Sequence, residues 1–357
     1  MEYRCRLYRE DDLEGIWGVM ADYFPPEALK LRKKFFLYIA SKNPCLKEKI
    51  PYCVIEHDGR IIGYLGQMPI QFVVSGELHD GYYAHDILLL EEYRGKGIAQ
   101  KLIRFQKETF RSLFAALWFS SRNHKAYQIV GWTDILGLKP FRNYLKSDIW
   151  LFNHLGRRKV PRVLSLPFDL FLRIRDLKVK EQEKTAYQIK EIESFDYRID
   201  EFVDRASKDY GIIMRRGSEL LNWKYVNNKA QTYSKFAVMR GSSTEGYVVL
   251  RVRQEDGFRV GTVVDFLANS TEIDSFRALI RHSLNFFRKR DVSVINVLTT
   301  QPILIKELYR VGFLRSRSAL PFMTTNWQGI WSENFITNVR NWYITFGDSD
   351  FGLWAPD

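Results

Sequence analysis

A mixed α/β fold made of two successive units of similar plan is what this 357-residue chain predicts. Three observations predict it. An order of strand, two helices, several strands, helix, strand, helix, strand fills residues 1–150. The same order restarts near Tyr187, and between the two runs lies a basic, proline-containing stretch that ends in Glu181-Gln182-Glu183-Lys184. The length also exceeds that of one such unit. The expected division is an N-terminal domain over 1–150, a basic amphipathic linker over 151–184, and a C-terminal domain with its tail over 185–357.

The first unit opens with a strand from Tyr3 to Tyr8 and a helix from Asp11, whose apolar residues Leu13, Ile16, Trp17 and Met20 follow helical spacing. Pro25-Pro26 starts a second helix that reaches Ile39. Alternating segments then predict strands at Tyr52–Glu56, Arg60–Gln67, Gln71–Ser75 and Gly81–Leu90, separated by turns such as His57-Asp58-Gly59. A helix spans Gly97 to Arg111, Leu117–Ser121 reads as a buried strand, and a short helix from Asn123 stops at Gly131, a residue suited to the positive φ of a helix end.

In the second unit the pattern gives a strand at Tyr187, helices around Phe202 and over Ser218–Tyr225, and strands at Phe236–Met239, Gly246–Arg253 and Gly257–Leu267. A helix at Ile273–Arg288, a strand at Val292–Leu298, a helix at Ile303–Val311 and a strand from Phe313 complete it. The linker holds Leu166, Phe168, Leu170, Phe171 and Ile174 among basic residues, a pattern expected of an inter-domain helix, with contact to a membrane surface as the other option.

The segment Ala84–Ala99 carries the chemistry, because it joins an apolar strand to a basic, glycine-broken turn that opens a helix. Gly95 and Gly97 let the main chain turn its N–H groups inward, and the helix from Ile98 adds the positive end of its dipole, so the turn suits a diphosphate. It is not a Walker loop, and the Rossmann spacing fails at Gln100. Arg94-Gly95-Lys96-Gly97-Ile98-Ala99 resembles the Arg/Gln-x-x-Gly-x-Gly/Ala signature of the GNAT acetyltransferase superfamily. Asn123, Ala126, Tyr127 and Gly131 match that superfamily's second motif, with Trp132 in place of its Phe.

The resemblance implies acetyl-coenzyme A as co-substrate, with no metal: the diphosphate on Arg94 to Ala99, the pantetheine arm along Ile87, Leu88 and Leu89, Asn123 beside the coenzyme, and Tyr127 as the acid that protonates the leaving thiolate. The superfamily often has a Glu where Tyr83 stands, so the base is open. His85 is one candidate, histidine being a common proton carrier, Asp86 another, and an acidic group of the second domain such as Asp265 or Asp350 a third. His85 shares a strand face with Tyr83, whereas Asp86 faces the other way unless a bulge intervenes.

The second unit has Ala268-Asn269-Ser270-Thr271-Glu272 where the first has its glycine turn, so it is expected to bind no coenzyme and to supply substrate contacts or scaffold. Leu220–Tyr225 and Trp342–Asp350 resemble segments of tandem GNAT-like proteins of bacterial polysaccharide and cell-surface biosynthesis, with Lys224 where that group has Arg. That likeness implies Trp223, Tyr225, Asp348 and Asp350 as substrate contacts and an amino sugar, free or nucleotide-linked, as the acceptor. The alternative is a non-catalytic scaffold that binds the coenzyme or a partner.

A net charge of +12 favours anionic ligands, and no nucleic-acid-binding signature is present. Three cysteines, Cys5, Cys45 and Cys53, form no disulfide or metal pattern and fit a reducing compartment. The N-terminus lacks an apolar signal core and no apolar run is long enough to span a bilayer, so the expected location is the cytoplasm.

Overall fold

The computed structural model describes residues 3–47, 50–155, 170, 187–269, 272–326 and 329–349. The first half runs β1 (Arg4–Leu7), α1 (Leu13–Ala21), α2 (Pro26–Lys42), β2 (Cys53–His57), β3 (Arg60–Val74), β4 (Glu77–Leu89), α3 (Ile98–Phe110), β5 (Leu113–Leu117), α4 (Ser121–Ile129), β6 (Thr133–Asp134), β7 (Phe141–Tyr144) and α5 (Ser147–Leu155). The second runs β8 (Gln188–Glu191), α6 (Tyr197–Ala206), β9 (Ile212–Met214), α7 (Ser218–Asn222), β10 (Ser234–Arg240), β11 (Ser243–Glu255), β12 (Phe258–Ala268) and α8 (Ile273–Lys289). It closes with β13 (Val294–Val297), α9 (Pro302–Arg310), β14 (Leu314–Arg315), β15 (Phe322–Thr325), α10 (Glu333–Thr337) and β16 (Trp342–Tyr343).

These strands make two mixed, mostly antiparallel sheets flanked by helices, as the sequence predicts. One is ordered β1-β2-β3-β4-β5-β15-β6, with β9 paired to β3 and β16; the other is ordered β14-β7-β13-β12-β11-β10-β8. The sheets exchange strands. β7, from the first half of the chain, lies between β13 and β14, while β15, β9 and β16 of the second half join the first sheet. The cores mix in the same way, since Phe322, Trp342 and Phe346 pack into the first and Val73 and Phe141 into the second. The boundary between the sheets is therefore not a single point along the chain. The linker 151–184 lies largely outside the described residues. Among those described, no helix is long and apolar enough to cross a membrane.

Two local expectations are corrected. Arg60–Gln67 and Gln71–Ser75 are one strand, β3, because Pro69 falls where the flank opposite β4 is unpaired, between the last β2 partner at Leu65 and the first β9 partner at Phe72. A proline there breaks no ladder on that flank. The buried strand expected at Leu117–Ser121 is β5, four residues earlier, since Trp118 takes a positive φ of 54° and Ser120 already caps α4, accepting from the Asn123 N–H at 3.3 Å.

Because each sheet borrows strands from the other half, residues 1–150 alone lack β15, β9 and β16 and leave the edge of β5 bare. This fragment is expected to show no cooperative thermal transition by circular dichroism, whereas the full chain melts cooperatively. A sharp melt of the fragment contradicts the shared core.

Candidate functional site

Strand β4 pairs with β5 in parallel only from Gly81↔Leu113 to Ala84↔Ala116. Beyond Ala84 the two strands part. On its other flank β4 stays paired to β3, with a register shift that sets Gln67 against Ala84 and Gly66 against Asp86, leaving His85 as the extra residue of a bulge. The Leu90 N–H donates to the Ile62 carbonyl, so alternation turns the main-chain groups of Leu89 and Ile87 toward the open side. Leu89 there is served by side chains: its N–H donates to the Tyr23 hydroxyl at 3.2 Å, and its carbonyl accepts from Arg94 Nε at 3.0 Å. Ile87, Leu88 and Leu89 are otherwise buried.

The bulge settles which way Asp86 faces. A Cβ on Gly66 would meet the His85 ring at 2.3 Å, and Asp86 accepts from the Tyr64 hydroxyl at 3.1 Å, so His85, Asp86 and Tyr64 share the face that carries α2. Only glycine at 66 leaves room for that ring. Phe35 and Tyr52 hold its other sides, with ring centres 5.5 and 5.6 Å away. His85 Nδ1 lies 3.5 Å from Asp86 Oδ2, and Arg32 of α2 lies 3.4 Å from Asp86 Oδ1. Burial alone would raise the Asp86 carboxyl, but the His85 ring and the Arg32 charge pull it down to about 2.

At the far end of the opening stands the glycine turn. Gly95 and Gly97 have φ of 79° and 76°, and α3 starts immediately after. No side chain caps α3, so the first N–H groups, those of Ile98, Ala99 and Gln100, are left to a ligand or solvent. A Cβ on Gly95 would meet nothing within 4 Å, and one on Gly97 only Gln100 Oε1 at 4.0 Å, so the outer side of the turn is open. Arg94 turns its guanidinium away, onto Asp22 and over the Tyr23 ring, 4.1 Å from its centre. Lys96 Nζ lies 5.6 Å from the Tyr93 ring centre. The open side of the turn thus presents main chain rather than the Arg94 guanidinium.

Helix α4 brings Asn123 in its first turn and Tyr127 in its last. Gly131 behind them has a φ of 82°. Tyr127 is buried against Trp132 and Phe119, with ring centres 4.5 and 5.9 Å away. Burial first and the Asp86 charge second push its phenol well above the ordinary range, so it keeps its proton. His85 and Asp86 are in contact, and Tyr127 lies within reach of the Asp86 charge.

The residues of the second half do not form an open surface. Trp223 is buried, stacked on Tyr38 at 5.3 Å and 7°. The Tyr225 hydroxyl donates to Asp265 Oδ2 at 3.0 Å. Arg216, wholly buried, donates to Asp265 at 3.0 Å and pairs with Asp348, while the Thr345 hydroxyl donates to Asp265 at 2.9 Å. Lys224 donates to the carbonyls of Gly347 and Ser349, a task for a point charge rather than an arginine fork. Asp350, Ser270 and Thr271 lie outside the described residues.

The second cleft repeats the first and is filled. β12 parts from β13 after Val263↔Val297, and a register shift against β11 makes Asp265 the counterpart of Asp86. Into that opening folds the chain's own turn Phe346–Asp348: a Cβ on Gly347 would meet the Tyr225 hydroxyl at 2.4 Å and Asp265 at 2.7 Å. Glu272, at the start of α8, is held by Arg240 and Tyr187, which sets a carboxylate where a diphosphate would need free N–H groups. Arg32, Arg216, Thr345, Asp22 and Tyr23 escaped the sequence reading; nothing in the sequence sets Arg32 apart from Lys33 and Lys34.

Comparison with known proteins bears on this geometry. Residues 14–132 match the family model of the acetyltransferase (GNAT) family. No curated protein sequence matches the chain. Among solved structures, a GCN5-related N-acetyltransferase from Anabaena variabilis is similar with a TM-score of 0.62 and 11% identity over 90% of this chain and 72% of that one. An Enterococcus faecalis protein of unknown function, described as a probable N-acyltransferase, gives 0.60 and 12% over 92% and 73%. The N-myristoyltransferase of Saccharomyces cerevisiae with bound myristoyl-CoA gives 0.55 and 12% over 91% and 82%. The fold is that of the GNAT superfamily.

The Asp86 carboxyl titrates lower in the folded chain than its ordinary 3.8, so the unfolded chain binds the proton more tightly. Its contribution, about 2 kcal/mol, is present above pH about 4 and is lost as pH falls toward about 2. The urea midpoint of Asp86→Asn is expected to fall less between pH 6 and pH 3 than that of the wild type; equal slopes would remove Asp86 from the acid limb.

Proposed function

We propose that this protein is an N-acyltransferase that moves an acetyl or other acyl group from coenzyme A to a primary amine. The observation that carries this reading is the open glycine turn ahead of α3, which leads along the unpaired flank of β4 to the His85–Asp86 contact, with Tyr127 within reach of the Asp86 charge. The uncapped N–H groups at the turn suit the diphosphate, and Ile87 to Leu89 suit the pantetheine arm. The GNAT fold, with a myristoyl-CoA-bound protein among its structural neighbours, supports an acyl-coenzyme A as co-substrate.

In this mechanism the thioester lies at the bulge. His85 takes a proton from the acceptor's ammonium, and the neutral amine attacks the thioester carbon. The Asp86 carboxylate, ionised at any neutral pH, orients the ring and stabilises the imidazolium that forms. Tyr127, whose phenol stays protonated, gives its proton to the departing thiolate and recovers one from the nitrogen of the new amide.

For the acceptor, the resemblance of Leu220–Tyr225 and Trp342–Asp350 to polysaccharide-biosynthesis proteins supports an amino sugar or its nucleotide-linked form, which the charge of +12 would favour when it carries phosphate. With Trp223, Tyr225 and Asp348 buried, these residues shape the acceptor side from behind. A second reading, a coenzyme-binding scaffold without turnover, draws on Tyr83 at the position where the superfamily often has a glutamate.

Calorimetric titration is expected to give one acetyl-coenzyme A per chain, because the second cleft is filled by Phe346–Asp348. Gly97→Trp, placed where the wild type has open space, should abolish binding while the circular dichroism spectrum stays folded. Failure of the folded wild type to bind defeats the transferase and coenzyme-scaffold readings together. Tyr127→Phe should keep coenzyme affinity and lower kcat with a panel of primary amines by about tenfold or more. Unchanged turnover removes Tyr127 from the mechanism, and binding without turnover in the wild type favours the scaffold.

A further inference from the structure

Main-chain N–H and C=O groups are nearly always paired, and the partners they hold decide what a ligand must displace. On the open flank of β4 the Leu89 main chain has two partners, both of them side chains. Its N–H donates to the Tyr23 hydroxyl at 3.2 Å, and its carbonyl accepts from Arg94 Nε at 3.0 Å. Tyr23 belongs to the turn between α1 and α2 and is 38% exposed. Three further contacts hold that turn against the end of β4. The Glu91 N–H donates to Asp22 Oδ2 at 3.0 Å, Arg94 pairs with the same oxygen, and the Arg94 guanidinium lies 4.1 Å from the centre of the Tyr23 ring.

A pantetheine arm lying along β4 needs these same groups. The arm carries secondary amides, so it pairs with an extended strand through one N–H and one carbonyl, as a neighbouring strand would. Leu89 ends β4 and is the residue of that path nearest the glycine turn. An N–H donates to one acceptor at a time, so a carbonyl of the arm takes the Leu89 N–H only if Tyr23 gives it up. The exchange costs little. Tyr23 is exposed, and the Asp22 and Arg94 side chains are each 28% exposed, so water receives what leaves β4, and an ion pair so placed contributes little to stability. The Arg94 guanidinium, next in sequence to Gly95, gains in return a diphosphate whose oxygens suit its planar fork.

We propose that Tyr23 and Arg94 are placeholders for the arm of coenzyme A, and that the turn between α1 and α2 is a latch which the arm releases. The two side chains hold the Leu89 main chain until an amide of the arm takes the N–H from the Tyr23 hydroxyl. Tyr23 then leaves β4, Arg94 turns from Asp22 to the diphosphate, and the turn comes free. This rests on the reading that coenzyme A binds along β4. The latch has a thermodynamic signature, because a contact made only in the free protein lowers ligand affinity by as much as it stabilises that state. Removing such a contact strengthens binding, whereas removing a group that touches the bound coenzyme weakens it.

Calorimetric titration of acetyl-coenzyme A into the full chain and into Tyr23→Phe, which keeps the ring beneath Arg94 and removes only the hydroxyl, reads that sign. The dissociation constant of the variant is expected to fall by about two- to tenfold, the range set by one neutral hydrogen bond. Hydrogen exchange of the wild type, followed by mass spectrometry, is the second readout. Saturation with acetyl-coenzyme A should speed exchange over residues 22–25 while slowing it over 95–100. An unchanged or raised dissociation constant in Tyr23→Phe, or exchange over 22–25 that slows or stays as it was, overturns the latch and leaves the transferase reading intact. A folded wild type that binds no acetyl-coenzyme A overturns the latch and the transferase reading alike.

Discussion

Strand β4 leaves β5 after Ala84, and the proposed chemistry depends on that parting. Had the parallel ladder continued, the main chain at Ile87 and Leu89 would be spent on β5 and the turn at Gly95 and Gly97 would open onto a closed sheet. The bulge at His85 coincides with the parting. It adds one residue to β4 without disturbing its pairing to β3, so a histidine and an aspartate that alternation would set on opposite faces meet on one. Gly66 is the matching concession on the neighbouring strand.

The second half repeats the device with a different outcome. β12 leaves β13 after Val263, and Asp265 follows a bulge as Asp86 does, each carboxylate beside a buried arginine and a tyrosine hydroxyl. What differs is the occupant. The second opening is filled by the chain's own turn, and the N-terminus of the adjacent helix is flanked by Glu272 instead of a glycine pair. One cleft stands open and the other is occupied by the chain itself.

The order of elements, the mixed α/β class and the positive-φ glycine turn ahead of α3 were legible in the sequence because they rest on local patterns: alternation, helical spacing, and glycines that need positive φ. The bulge was not. His85 and Asp86 read as alternating residues, and only the pairing of Gly66 with Asp86 across the sheet turns them to one side. Strand exchange was equally hidden, since Phe141–Tyr144 and Phe322–Thr325 look like ordinary strands whose partners lie 150 or more residues away in the chain. Trp223, Tyr225 and Asp348 read as surface contacts because nothing local tells a buried charge from a solvated one; the arginine that neutralises Asp348 lies at 216, on another element.

The buried network of the second half fixes the turn that fills its cleft. Arg216 and Lys224 balance Asp265 and Asp348, so the group is neutral, yet burying four ions costs several kcal/mol each before their attraction repays it. Well-packed apolar residues would serve stability as well. What such residues would not supply is direction. The Lys224 bonds to the Gly347 and Ser349 carbonyls, the Arg216 pairs and the Thr345 hydroxyl on Asp265 fix the turn at one register. The strand exchange makes that register rigid, because β9 and β16, which flank the network, are themselves strands of the first sheet. The turn that fills the second cleft is thus held in part by strands of the first.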